Sequence, residues 1–143
     1  MAFELDPRLA GDTVPLLELP LSSALLMDDA RFPWIVLVPR REGAREIHEL
    51  PWDDQLQLLR EMGAAARALD AVAAADKINV GALGNVVAQL HVHVVARFRG
   101  DAAWPGPVWG SGAAKPYAPE ARAALVARLA AALAAAVAAE TAE

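Results

Sequence analysis

The sequence predicts an α+β fold: a mainly antiparallel sheet with one long helix and a C-terminal helix. β-type segments are grouped by short turns before and after a single long helical segment, and a second helical segment ends the chain. Strands joined by turns favour antiparallel pairing over a doubly wound parallel sheet. The 143 residues hold no internal repeat and no interdomain linker, so we expect one domain over 1–143 with its core at about 20–110.

The first two strands are predicted in the segment LPLSSALLMDDARFPWIVLVPRR. Residues 22–27 form an apolar run that ends at two aspartates, and residues 34–38 are rich in β-branched side chains and end at Pro39. The residues between them, DDARFP, have the composition of a turn. The segment therefore predicts two neighbouring strands.

A long helix is predicted from Pro51 to Ala75. Proline suits the first turn of a helix, and Asp53 and Asp54 complement the positive end of the helix dipole. Apolar residues then recur every three or four positions, which is typical of an amphipathic helix. The stripe consists of Trp52, Leu56, Leu59, Met62, Ala66, Leu69 and Val72.

The second group of strands follows this helix. INVGAL predicts a short strand, Gly84-Asn85 a turn and residues 86–97 another strand, together a hairpin. Residues 99–119 are rich in proline and glycine and predict a loop. The alanine-rich end predicts a helix over about 119–141. Its apolar stripe, which needs a partner surface, consists of Leu125, Leu129, Leu133 and Val137.

Composition excludes several classes of function. Hydrophobic residues make up 56% of the chain, which argues against disorder, and a net charge of −5 makes a nucleic-acid partner unlikely on electrostatic grounds. The absence of cysteine excludes disulfides and thiolate metal sites and fits a reducing compartment. The N-terminus does not resemble a secretory signal, and the apolar run at residues 129–139 is too short to span a bilayer. We expect a cytoplasmic protein with no membrane partner.

Two of the three histidines lie two positions apart in the segment AQLHVHVVAR. On a strand, Gln89, His91 and His93 share one face, and apolar residues occupy the other. A neutral imidazole can attack phosphorus, a second imidazole can bind charged oxygens or a leaving group, and an amide can donate and accept without changing charge. These three side chains therefore predict phosphoryl or nucleotidyl transfer.

The same histidine pair has two other interpretations. One is a metal site in which His48 is a third ligand, although no acidic residue shares the strand face and glutamine is a poor zinc ligand. The other is a half-exposed strand whose polar face meets water and carries no chemistry. The spacing of the histidines alone does not separate these interpretations.

The segment NVGALGNVVAQLHVHVVARFRGDAAWPG resembles the signature of the histidine triad (HIT) family, His-x-His-x-His followed by two apolar residues. Here the pattern occupies residues 89–95, with Asn79 and Gly81 opening the preceding loop and Trp104-Pro105 following. The segment MDDARFPWIVLVPRR is similar to the family's earlier strand pair. The resemblance extends over roughly residues 22–109.

The resemblance implies a HIT-like fold on a five-stranded antiparallel sheet, commonly a homodimer, that binds purine nucleotides or nucleoside phosphates without a cofactor. It implies hydrolysis or transfer at an α-phosphate of phosphoramidates or dinucleoside polyphosphates. His91 would form the covalent nucleotidyl intermediate, and His93 would contact the phosphate and the leaving group. Gln89 replaces the family's first histidine, and Val86 replaces a frequent phosphate-binding hydroxyl. Reduced activity, or nucleotide binding without efficient catalysis, is therefore the alternative.

The resemblance also suggests residues that contact the nucleotide: Asp28, Asn79, Asn85 and Trp104. An acid that ends the first strand would accept from the ribose hydroxyls, with Asp29 an equal candidate. Asn79 would contact the ribose or stabilise the loop before the motif. Asn85 would donate to the phosphate in place of the hydroxyl that Val86 lacks. For the tryptophans of the Pro/Gly loop, including Trp109, packing competes with closure over a base and is favoured.

Overall fold

The computed structural model of the protein describes residues 2–140. At its centre is a five-stranded sheet in the order β1-β2-β3-β5-β4. All four neighbouring pairs are antiparallel. Long helices cover one face, so the predicted α+β fold is confirmed. The predicted end of the last helix at residue 141 lies outside the described residues, as do residues 1, 142 and 143.

The elements follow one another in this order: α1 (Pro7–Asp12), β1 (Thr13–Glu18), β2 (Ser22–Met27), β3 (Trp34–Pro39), a 3-10 turn (Ile47–Glu49), α2 (Trp52–Ala73), β4 (Lys77–Gly81), β5 (Val92–Arg97) and α3 (Pro119–Glu140). Helix α1 and strand β1 precede the predicted core, which was expected to begin near residue 20. Asp6 caps α1 by accepting from the backbone N–H of Arg8, and Pro7 begins the helix. Leu9 and Leu16 then extend the buried core below residue 20.

The predicted strand over residues 86–97 is correct only from Val92. Residues 82–91 form an irregular connection between β4 and β5, in place of the predicted tight turn at Gly84-Asn85. The two strands still pair, with Gly81 opposite His93. The connection is not a strand because its polar groups bond to other segments: Leu90 N–H donates to the carbonyl of Ala44. Of the three predicted site residues, only His93 therefore lies on the strand, and Gln89 and His91 precede it.

The helix-covered face of the sheet forms the main core. Strand β5 directs Val92, Val94 and Ala96 into it, and α3 contributes Leu129 and Leu133. The prediction that Leu90, Val92 and Val94 of the histidine segment face the core is thus confirmed. The tail stripe finds its partner surface on α2 and the sheet.

The apolar stripe predicted on α2 is only partly its buried face. Leu58 and Leu69 are buried, whereas the side chains of Trp52 and Leu59 are 70% and 63% exposed. The buried side instead uses several alanines, which let α2 approach the sheet and α3 closely. Sequence periodicity located the helix correctly. It also placed Trp52 and Leu59 on the apolar face of the helix, but both side chains are exposed to solvent.

The opposite face of the sheet is covered by chain without long helices. Its smaller core contains Phe32, Trp34, Val36 and Val95, and residues 2–12, here called the N-terminal strap, pack on it through Leu9. The loop that follows β5 adds Val108. His91, His93 and Arg97 lie on this face because the neighbouring apolar residues of β5 point to the helices.

Helix α3 is the one helix within residues 2–140 that is long and apolar enough to cross a membrane. Length and composition alone are weak evidence, because a core helix of a soluble protein passes the same test. Leu129 and Leu133 are fully buried against the rest of the fold. The helix therefore has a packing role in the domain.

Candidate active site

His93 lies on β5 with its ring between two tryptophans. The indole Nε1–H of Trp34 donates to His93 Nδ1 at 3.0 Å, and the ring centroids of His93 and Trp109 are 5.6 Å apart. Burial, reinforced by the neighbouring His91, lowers the pKa of His93 from 6.5 to about 4. The ring is therefore uncharged at neutral pH. Because Nδ1 accepts a hydrogen bond, the proton lies on Nε2, which can donate.

His91 immediately precedes β5 and has the opposite tautomer. Its Nδ1 lies 2.7 Å from the backbone carbonyl oxygen of Gln89, which can only accept, so Nδ1 carries the proton. In the neutral ring, Nε2 then holds a free lone pair. The centroids of His91 and His93 are 4.9 Å apart, with their ring planes at 77°. One ring offers a nucleophilic nitrogen, and its neighbour offers an N–H donor.

A cavity of about 440 Å³ adjoins the tryptophan side of this pair. Trp34 and Trp109 line it and meet edge to face, with ring centroids 6.5 Å apart and planes at 89°. Its polar lining includes Asp28, Asp29 and Arg31. The volume lies within the range that is typical of small-molecule sites, and the lining suits a ligand with an aromatic part and a polar part.

Trp109 can approach His93 because residue 81 is glycine. Gly81 is the partner of His93 across β4 and β5, and a Cβ added to it would lie 2.8 Å from Cη2 of the indole. The Nε1–H of Trp109 is buried without a hydrogen-bond partner among residues 2–140. Such a group is uncommon in native structures and is available to a bound ligand.

A much smaller recess, about 10 Å³, is lined by His91 itself together with Arg45, Glu46 and Gly84. It is the size of a single water molecule, so it does not hold a nucleoside. It brings a cationic side chain into the surroundings of His91. The two recesses thus flank the imidazole pair with aromatic and charged groups.

The HIT domain family model matches residues 10–100. The chain belongs to the HIT domain family. A histidine triad protein from Sinorhizobium meliloti is 48% identical, covers 89% of this chain and 94% of that chain, and has a TM-score of 0.87. Similar proteins from Marinobacter aquaeolei and Bradyrhizobium japonicum are 47% and 43% identical, each over 93% of this chain and over 97% and 99% of their own, with TM-scores of 0.90. None of the curated proteins matches the sequence.

Membership of the HIT family confirms the resemblance found in the sequence. HIT proteins bind nucleotides and are commonly nucleotide hydrolases or transferases. The shared sheet places the second and third positions of the motif, His91 and His93, next to each other on the face opposite the helices. What the remaining candidate residues do in this HIT domain depends on contacts that the motif alone does not reveal.

Gln89, at the first position of the motif, does not direct its side chain at the nucleophile. Its Oε1 accepts from the backbone N–H of Asp6 at 2.8 Å, and its Nε2 donates to the carbonyl of Glu4 at 2.8 Å. The contact with His91 is made by the backbone carbonyl of Gln89 instead. The side chain of Gln89, predicted to be catalytic, thus forms hydrogen bonds with the N-terminal strap.

Asp28 and Asp29, the two carboxylates predicted to accept from a ribose, both line the cavity. The carboxylate of Asp28 accepts from Tyr117 N–H at 2.9 Å and from Arg122 at 3.0 Å, and its side chain is 22% exposed. Asp29 is almost fully buried. Burial raises its pKa, but the hydrogen bonds from Arg31 and from backbone N–H groups outweigh burial and lower the pKa overall. Asp28 is therefore the more accessible carboxylate for a ribose.

Asn79, Asn85 and Trp104 do not line the cavity. The amide oxygen of Asn79 accepts from the buried guanidinium of Arg97 at 2.8 Å, and the ring of Trp104 packs 5.7 Å from the same guanidinium. Arg97 is neutralised by Asp101, with N–O distances of 2.9 and 3.0 Å. Asn85 is exposed in the connection between β4 and β5. Asn79 and Trp104 thus both contact Arg97, and their predicted roles at a ligand stay predictions.

Sequence reasoning missed Trp34, one of the two tryptophans that line the cavity. Trp34 lies on the face of β3 opposite Ile35 and Leu37, so strand alternation alone could have separated it from the main core. For Trp109 the sequence favoured packing, and its contact with His93 depends on a loop whose path no local pattern specifies.

The alternative metal site requires His48 to join the other two histidines. His48 is exposed on the 3-10 turn. Within residues 2–140, no group of three or more His, Cys, Asp or Glu side chains is arranged to hold a metal ion. The hydrogen bonds to Nδ1 of both site histidines also engage one of the two ligand atoms of each ring.

Proposed function

We propose that this HIT protein is a nucleotide hydrolase or nucleotidyl transferase that acts at an α-phosphate through a covalent intermediate on His91. The observation that carries the proposal is the pair of complementary tautomers: a lone pair on Nε2 of His91 beside an N–H on Nε2 of His93. Covalent catalysis divides one difficult displacement into two easier ones. Phosphoramidates and dinucleoside polyphosphates are the proposed substrate classes.

In the first step, Nε2 of His91 attacks the α-phosphorus in line, and the bond from phosphorus to the leaving group breaks. A positive charge develops on the imidazole, and the carbonyl of Gln89 stabilises it through the Nδ1–H. The Nε2–H of His93 donates a hydrogen bond to a phosphoryl oxygen or to the leaving group, which departs as a phosphate anion or, as an amine, takes up a proton from solvent. Because its pKa is lowered to about 4 and its Nδ1 already accepts from Trp34, His93 is a weak base and remains a donor.

In the second step, water attacks the phosphorus, the bond from phosphorus to Nε2 breaks and a proton is lost to solvent. The nucleoside monophosphate is released and His91 returns to its starting form. An acceptor other than water in this step makes the reaction a transfer. Fixed donors stabilise the oxygen charge in both steps, so the same site serves both.

The nucleoside part is proposed to occupy the cavity beside Trp34 and Trp109. A purine would stack on an aromatic wall, and Asp28 would accept from the ribose hydroxyls. The Nε1–H of Trp109 is a donor for a base or ribose oxygen. Asn85, which is exposed in the connection between β4 and β5, is the remaining candidate for a phosphate donor.

A homodimer is the proposed assembly. Trp52, Leu56 and Leu59 form an exposed apolar patch on α2, and β4 is the last strand of the sheet. Exposed patches and open strand edges are surfaces that proteins usually cover by association. Sedimentation of the wild type and of Leu59→Glu tests this assembly, because a charge in the patch should produce monomers. We further propose a cytoplasmic location without nucleic-acid or membrane partners.

The alternative function is binding without efficient turnover. It is favoured by two differences from the usual motif: Gln89 is engaged with the N-terminal strap, and Val86 is 80% exposed where a hydroxyl could bind phosphate. Calorimetry with AMP combined with a substrate panel separates the two functions. Binding with no turnover of any phosphoramidate or dinucleoside polyphosphate would favour the alternative.

Trapping of the intermediate tests the proposed mechanism. Wild-type protein is incubated with adenosine phosphoramidate or diadenosine polyphosphate, and the reaction is quenched. The protein is then digested, and the masses of its peptides are measured by mass spectrometry. We expect an adenylyl adduct on the peptide that contains residue 91, and none in His91→Ala. His48→Ala is the matched control, because this exposed histidine lies outside the site, and it should form the adduct as the wild type does. An adduct that survives in His91→Ala would refute the assignment of the nucleophile.

A further inference from the structure

The N-terminal strap lies against the connection that carries the nucleophile. Phe3 and Leu5 pack on the smaller core, and Leu9 is buried in it. Arg8 pairs with Asp6 at 3.1 Å and also donates to the carbonyl of Val86 at 3.2 Å. The strap therefore contacts the connection between β4 and β5 through its own side chains as well as through Gln89.

Gln89 uses its two ends for two different partners. Its side-chain amide bonds to the strap at the carbonyl of Glu4 and the N–H of Asp6, both at 2.8 Å. Its backbone carbonyl accepts from Nδ1–H of His91 at 2.7 Å. A displacement of the strap that rotates residue 89 therefore also moves the acceptor that fixes the ring of the nucleophile.

The side-chain amide of Gln89 anchors residue 89 to the strap. It lies in the irregular residues 82–91, outside the hydrogen-bond ladder of the sheet. The next residue is fixed by the bond from Leu90 N–H to the carbonyl of Ala44 at 3.0 Å. The amide of Gln89 adds two bonds to backbone groups more than eighty positions earlier in the chain. The strap thus helps to fix the position of the Gln89 carbonyl, which accepts from His91.

We propose that Gln89 is a positioning residue that couples the docked N-terminal strap to the orientation and tautomer of the His91 ring. The inference rests on the proposed function in one respect, that His91 is the nucleophile. The strap is then a part of the site, and the glutamine at the first position of the motif is adapted to hold it.

The chemistry of the amide explains why glutamine suits this role. The carbonyl of Glu4 and the N–H of Asp6 need one donor and one acceptor, and a primary amide presents both from one end without charge. A carboxylate would lose the donor. An imidazole would carry its two nitrogens on diverging sides of a ring, so it could not match both groups from the same position.

The test compares Gln89→Leu with Gln57→Leu. Leucine has a similar length but removes both hydrogen-bonding groups. Gln57 is a half-buried glutamine on α2 that donates to Glu61 at 3.0 Å, on the helix-covered side of the sheet. Gln89→Glu removes only the donor to Glu4. Phe3→Ala loosens the strap without altering residue 89.

Two readouts separate positioning from general stability. Ring ¹⁵N shifts of His91 in the substrate-free protein report which nitrogen carries the proton, and steady-state kinetics with adenosine phosphoramidate report kcat and KM. For Gln89→Leu we expect a measurable Nε2–H population of His91 and a kcat about 10- to 100-fold lower, because misplacing a reacting group by about 1 Å costs this much. KM should change less than about threefold, since the nucleoside cavity is intact.

Gln89→Glu and Phe3→Ala should show smaller changes in the His91 ring shifts and a smaller decrease of kcat. Gln57→Leu should have the shifts and the kcat of the wild type. Wild-type shifts and kcat in folded Gln89→Leu would overturn the proposal. If Gln89→Leu does not fold, wild-type shifts in Phe3→Ala and Gln89→Glu would overturn it equally. If the wild type turns over no nucleotide, the proposed function fails, whereas the ring shifts still decide whether the strap sets the tautomer of His91.

Discussion

The two faces of the sheet differ in what covers them and in what they contain. The face under α2 and α3 is lined by aliphatic side chains and alanines, with Leu129 and Leu133 at its centre. The face under the N-terminal strap and the loop after β5 holds two imidazoles, a buried ion pair and a cavity.

Each strand serves both faces at once. On β5, Val92 and Val94 enter the main core while His93 and Arg97 lie opposite, because successive side chains of a strand alternate. The rigid helical layer thus holds the backbone from which the reactive rings project. The comparison teaches that the stability of this fold and its chemistry are divided by face and not by segment.

The first prediction tests this division with the largest expected effect. Leu129→Ala should lower the free energy of unfolding by about 2–5 kcal/mol, because it removes buried methyl groups and leaves a cavity. Chemical denaturation measures the loss. The kcat of the folded fraction with adenosine phosphoramidate should stay within about threefold of the wild type, since β5 is still held by its sheet partners. A loss of kcat much larger than this would show that the two faces are not independent.

The second prediction concerns the buried imidazole of the site face. The folded-state pKa of His93 is lowered to about 4, whereas the unfolded chain has the ordinary value near 6.5. Between these values the unfolded state binds the proton and the folded state does not, so stability falls as the pH decreases from 6.5 to 4. The ring alone should contribute a loss of roughly 3 kcal/mol over this range, with no contribution above pH 7.

Denaturation at several pH values measures this loss in the wild type and in His93→Gln. Glutamine does not titrate, and its amide oxygen can still accept from Trp34. The variant should therefore show a shallower decrease of stability below pH 6.5. Equal slopes for both proteins would contradict the lowered pKa of His93.

The smallest effect is predicted at Gly81, on the site face. In Gly81→Ala, the new Cβ would lie 2.8 Å from the indole of Trp109, so the ring has to move away from His93 and the cavity. We expect KM for a nucleotide substrate to rise about tenfold, which equals about 1.4 kcal/mol of binding free energy. The kcat should change less, because His91 keeps its hydrogen bond to Gln89.

Gly63→Ala on α2 is the control for this substitution. Its Cβ would meet the guanidinium of Arg67 at 3.3 Å and the carboxylate of Glu140 at 3.8 Å, both at the ends of flexible side chains, and alanine favours helix. KM should equal the wild-type value. A similar rise of KM in both variants would show that the change at residue 81 acts through general stability and not through Trp109.

Much of the fold was predictable because its signals are local. Periodicity located α2 and α3, and an apolar run and a β-branched run located β2 and β3, respectively, at nearly their observed bounds. The strap was missed because α1 is short and its main signal, a capping aspartate followed by proline, has meaning only once Leu9 packs on the sheet. The strand before His91 was extended too far because an apolar run predicts a strand whether or not a neighbour pairs with it.

The sequence by itself determined which side chains of β5 face which side, and so placed His93 opposite the main core, since backbone geometry alternates side chains irrespective of the rest of the chain. Tertiary structure alone decided which nitrogen of His93 remains free, because Trp34 bonds to His93 across 59 positions. It also decided that Gln89 holds residue 6 from 83 positions away and that Trp109, not Trp104, lines the cavity. Hydrogen-bond partners so distant in the chain are selected by packing, which no local pattern encodes.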